Sequence, residues 1–116
     1  MPCALLLLLA LSSVLGCTSV ADDLRRAEHA FTDARYEEAA LWLTDMSAGV
    51  ARMQPSERAR YYYLVGMSAH RTGQRVQARH ALALCREELS AVPDALPESW
   101  RRRLVLALSE LGSPPR

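Results

Sequence analysis

The side chains that could do chemistry in this chain are three histidines, two pairs of neighbouring glutamates and an interior cysteine. A transition-metal site needs His, Cys or carboxylate ligands gathered at short helical or loop spacings. His29 and His70 are far apart in sequence, and His70 and His80 sit on either side of a turn signal. Glu37-Glu38 and Glu87-Glu88 are adjacent in sequence. On a helix such neighbours diverge, so each pair reads as a solvated face and not as an acid–base couple. No activating group flanks Cys85, which reads as a small buried apolar residue and not as a nucleophile. The chain contains no HExxH, GxSxG or Gly-rich phosphate loop. The expectation is a protein that is not an enzyme and uses no metal or cofactor.

Charge narrows the class further. Fourteen basic residues stand against thirteen acidic ones. Nonspecific nucleic-acid binding needs a concentrated basic surface, so no nucleic-acid partner is expected. No charged side chain occurs before Asp22, and residues 4–16 form the apolar run ALLLLLALSSVLG. A secretory signal needs an apolar core of about 7–15 residues and a small residue before the cut, and Gly16 supplies the latter. A spanning helix needs about 20 apolar residues, and Ser12, Ser13, Gly16, Thr18 and Ser19 dilute the second half of the run. An uncleaved anchor remains the alternative.

Val14-Leu15-Gly16-Cys17 resembles the lipobox of a bacterial lipoprotein. The resemblance implies a signal peptide over residues 1–16, cleavage before Cys17, and lipid on the Cys17 sulfur. Residues 17–19 would be a short tether to the periplasmic face of an envelope membrane. Thr18 stands where an inner-membrane retention Asp is often found, which leans towards the outer membrane. Cys3 would leave with the signal and Cys17 would be a thioether, so Cys85 would have no disulfide partner.

The remaining chain has helical periodicity and no useful period-two alternation. Helices are expected over residues 20–33, 36–47, 57–71, 74–91 and 97–111. Ser19 and Ser56 are candidate N-caps, with Asp22 and Asp23 near the positive end of the first helix. Leu24, Ala27 and Phe31 line the first apolar face, and Tyr36, Ala39, Ala40, Leu43 and Met46 the second. Tyr62, Val65, Gly66 and Ala69 share the third. Ala78, Ala81, Leu82, Cys85 and Leu89 form the fourth, and Trp100, Leu104, Ala107, Leu108 and Leu111 the fifth. Ala48-Gly49 ends the second helix, residues 48–55 form a loop, and Gly73 ends the third helix. Arg101, Arg102 and Arg103 are expected to point largely outward, and residues 113–116 form a tail.

Two stretches match thirty-nine residues apart: AFTDARYEEA ending at Ala39, and AHRTGQRVQA ending at Ala78. With Gly66, Gly73, Ala78 and Tyr62 they resemble the tetratricopeptide repeat, a pair of antiparallel helices in about 34 residues. The first repeat departs from the family at Asp23, Ala27 and Ala34, and the second at Arg75. The resemblance implies an all-α fold over residues 20–112, with two tetratricopeptide-like hairpins and a C-terminal capping helix. It also implies a peptide-binding concave face. Carried over, that face takes Leu24, Glu28 and Phe31 from the first repeat and Tyr63, Met67, His70 and Arg71 from the second. One helix cannot bury three consecutive rings on one side, so Tyr61-Tyr62-Tyr63 should leave a ring semi-exposed.

The expected function is a non-catalytic adaptor or assembly factor that binds an envelope protein or peptide. The alternative is an inhibitor or regulatory subunit of an envelope hydrolase. Two repeats are few for a stack, which gives self-association or a stack-completing partner a physical motive.

Overall fold

A computed structural model describes residues 19–112, and the expected signal peptide, Cys17 and the tail over 113–116 lie outside the described residues. The described residues form an all-helical domain of α1 (Val20–Thr32), α2 (Tyr36–Met46), α3 (Pro55–Arg71), α4 (Arg75–Ala91) and α5 (Glu98–Gly112). The Ser19 hydroxyl caps α1 by accepting from the Asp22 backbone N–H at 3.2 Å. This satisfies one of the orphan donors of the first turn.

The expected Ser56 cap is corrected. Gln54 is the N-cap of α3, Pro55 opens the helix, and Glu57 reaches back to the Gln54 N–H at 3.0 Å. Proline costs nothing there, because first-turn N–H groups have no helical partner. The expected loop after α2 is also corrected. Ser47–Arg52 is a 3₁₀ helix, and Met53 beyond it is buried in the core. Ala40 is exposed, not part of the buried face of α2.

The α1–α2 and α3–α4 connections are the same turn built twice. Asp33 and Thr72 end their helices near φ −82°, ψ 10° and φ −101°, ψ 10°. Ala34 at φ 60° and Gly73 at φ 79° follow in the left-handed region. Arg35 N–H then donates to the Ala30 carbonyl, and Gln74 N–H to that of Ala69, both at 2.8 Å. Glycine takes this conformation freely, whereas Ala34 bears the left-handed cost in the first turn.

Side-chain pairs fix how the helices run. Arg58 meets Glu88, and the Cys85 Sγ donates to the Ala59 carbonyl at 3.3 Å, so α3 and α4 are antiparallel. Glu28 meets Arg60 and Phe31 meets Tyr63, so α1 runs parallel to α3. Tyr63 stacks on Trp100 and His70 meets Glu110, so α5 runs parallel to α3 as well. The result is a front row of α1, α3 and α5 backed by α2 and α4. Leu43, Leu64, Leu82, Cys85 and Leu111 are fully buried within the layers. At Gly66 a Cβ would lie 2.5 Å from two Leu82 side-chain carbons, so this glycine sets the approach of α3 to α4.

Candidate interaction site

Of the seven residues expected on the concave face, Phe31 meets Tyr63 across α1 and α3, but most of the seven are not available to a partner. Leu24, Phe31, Tyr63 and Met67 are all buried. Trp100 explains Tyr63: its indole stacks on the phenol ring with centroids 4.5 Å apart and planes 10° from parallel. Phe31 meets both rings edge-on, at 6.1 and 6.2 Å. Such aromatic pairs contribute about 0.5–1.5 kcal/mol beyond area burial. The half-exposed ring of the tyrosine run is Tyr62, not Tyr63.

Two of the polar candidates are engaged by neighbouring helices. Glu28 pairs with Arg60 Nη2 at 2.6 Å, and the Arg60 guanidinium also lies 5.5 Å from the Trp100 ring centroid. His70 Nε2 lies 3.1 Å from a Glu110 carboxylate oxygen. Arg71 is exposed. The face is therefore largely closed by α5, with an aromatic cluster beneath and charged pairs at its rim. The roles of Arg60 and Glu110 were not visible in sequence, since each reaches a partner more than thirty positions away.

Burial governs the titratable groups behind this face. It pushes the Tyr63 hydroxyl up, with the Arg103 charge opposing the shift. The hydroxyl is buried, and the Arg103 guanidinium is the polar group that faces it. Burial also raises Tyr61, whose hydroxyl donates to the Leu43 carbonyl at 3.3 Å. Cys85 is pushed up to about 12 by burial and, secondarily, by the Glu88 charge. A thiol held neutral in this way is an inert packing group at physiological pH.

Two clefts remain. One of about 370 Å³ lies between α2, α3 and α4, lined by Leu43, Thr44, Tyr61, Val65 and Gln77 among others. Its walls are neutral, so they offer a ligand shape and hydrogen bonds but no charge. A second cleft, on the α1–α2 edge, brings together Asp22, Arg25, Arg26, Arg35, Glu38 and Trp42. Its charges largely cancel: Arg25 pairs with Asp22, Arg26 with Asp23, and Arg35 with Asp33 and Glu38. Among the described residues no group of three His, Cys, Asp or Glu side chains is placed to hold a metal ion. No described helix is long and apolar enough to cross a membrane.

No family model, curated protein or solved structure matches this chain.

Proposed function

We propose that the chain is a membrane-anchored envelope lipoprotein whose domain is a pair of tetratricopeptide-type repeats capped by α5. Its function is to hold a partner protein, as an adaptor or assembly factor without catalytic activity. The observation that carries this reading is the repeated turn. Ala34 and Gly73 take the same backbone conformation thirty-nine residues apart, each followed by a helix that enters the back layer. Repetition of one helical hairpin is the hallmark of solenoids, whose recurrent use is to offer extended surfaces to other proteins. The anchor rests on Val14, Gly16 and Cys17 and on the apolar run before them.

Leu24, Phe31, Tyr63 and Met67 of the expected concave face are buried, and Trp100 of α5 covers Tyr63. Partner binding in this reading uses exposed helix faces and the charged rim of Glu28, His70 and Arg71. Mass spectrometry of membrane-extracted protein tests the anchor: an N-terminal Cys17 with added acyl mass supports it, and an intact Met1 refutes processing. Cross-linked capture from envelopes tests the role. A multi-protein assembly supports the adaptor, whereas a single hydrolase supports an inhibitor.

A further inference from the structure

Among the described residues the front row runs no further than α5, and no described element covers the far side of that helix. Its inner face, Leu104, Ala107 and Leu111, is buried against α3 and α4. Its outer face carries Val105 and Leu106, 68% and 61% exposed, beside Glu98, Arg101 and Arg102. These five positions fall at helical spacing on one side, so α5 is apolar on two opposite sides.

The charges on this face are unbalanced. Neither Arg101 nor Arg102 has an ion pair among the described residues, and the Arg101 Nε is buried with no hydrogen-bond partner. Arg25, Arg26, Arg35, Arg58 and Arg60 meet carboxylates, whereas Arg52, Arg71, Arg86 and Arg103 share the unpaired state but do not line a patch with an exposed apolar pair such as Val105 and Leu106. Glu98 lies in the first turn, at the positive end of its own helix, and so offsets the arginines weakly.

We propose that the outer face of α5 docks an acidic amphipathic helix from a partner protein. Apolar residues of that helix cover Val105 and Leu106, and its carboxylates pair with Arg101 and Arg102. Residues 98 to 106 span about 12 Å of helix, a seat for roughly two to three turns of a partner. A second copy fits less well, because two such faces would bring four arginines against two glutamates, a repulsive arrangement. A membrane surface fits less well too, because the proposed anchor precedes α1 and α5 lies across α3 from it. The inference rests on the adaptor reading and adds to it the partner's chemistry and the face it uses.

The test uses the full chain in detergent and two labelled synthetic helices. Both carry Leu at i, i+3, i+4 and i+7; one has Glu at the flanking positions and the other Lys. Fluorescence anisotropy is expected to show salt-sensitive binding of the acidic helix, at least about tenfold tighter than the basic one. V105D/L106D should weaken it at least about tenfold, and R101E/R102E should reverse the preference. R101Q/R102Q, with an unchanged melting curve, separates lost charge from lost fold. Equal binding of both helices, no binding of the acidic helix, or indifference to these variants overturns the proposal. So does a dimer in sedimentation that V105D/L106D dissolves, or flotation with phosphatidylglycerol vesicles that depends on Val105 and Leu106. Failure here with partner capture intact removes this face and leaves the adaptor reading standing.

Discussion

Gly66→Ala is the sharpest probe of how the second hairpin closes on itself. The added methyl would lie 2.5 Å from Cγ and Cδ2 of Leu82 and 3.1 Å from its backbone nitrogen. Leu82 is fully buried, so moving its side chain requires its neighbours to repack. Over-packing costs about 1–3 kcal/mol, and contacts this short, one of them to backbone, place the cost near the upper end. Alanine regains about 1 kcal/mol of helix propensity over glycine. The net expectation is a loss of about 2 kcal/mol, which lowers the melting temperature by about 10 °C in a domain of this size. Denaturation followed by circular dichroism measures it. A double-mutant cycle with Leu82→Ala adds a second requirement. Leu82→Ala alone costs about 2–5 kcal/mol by opening a cavity, and the pair should fall short of additivity by about 1–2 kcal/mol. A neutral or stabilising Gly66→Ala, or strict additivity, would refute the close approach of α3 and α4.

The repeated turn predicts opposite effects of opposite substitutions: Ala34→Gly should stabilise and Gly73→Ala destabilise, each by about 0.5–1 kcal/mol in urea denaturation. Nothing lies within 4 Å of a Cβ at Gly73, so backbone conformation alone sets that cost. Trp100→Ala removes the stack on Tyr63 and the contact with Phe31, with an expected loss of about 3 kcal/mol; Trp100→Phe should recover part of it. The Cys85 thiol, ordinarily near 9.0, is raised to about 12, so the folded state holds its proton more tightly than the unfolded chain. Its contribution is complete below pH 9 and is lost progressively towards pH 12, so urea midpoints should fall on going from pH 7 to pH 10 and fall less in Cys85→Ala. At pH 8 the thiol should react with disulfide reagents only as the protein unfolds.

The helices were legible because their signals are local. Ser19 with Asp22 and Gly73 at φ 79° are boundary chemistry that the chain writes within a few residues. The small residues Ala39, Gly66 and Ala78 marked close helix contacts, and all three are buried. Ser56 misled because it is a good cap one residue too late: Pro55 had already fixed the helical φ, and Gln54 with Glu57 supplied the cap. Residues 48–55 read as a loop because one buried methionine after a 3₁₀ helix leaves no periodic pattern. The candidate face was the least legible part. Nothing near Tyr63 in sequence says that Trp100 will cover it, and Glu28 and His70 are held by Arg60 and Glu110 from other helices. Exposure on a front row depends on where its last helix docks, and that is a long-range property.

Site-specific photo-cross-linking in the cell of origin tests the account's central claim, that the domain holds a partner protein on the outer face of α5. A photoreactive residue at position 105 on α5 is compared with one at position 41 on α2, which is equally exposed but on a different helix. The account predicts a discrete membrane-associated protein adduct at position 105, and its loss in Arg101→Glu, Arg102→Glu. No adduct at position 105, or the same adducts at both positions, would contradict it.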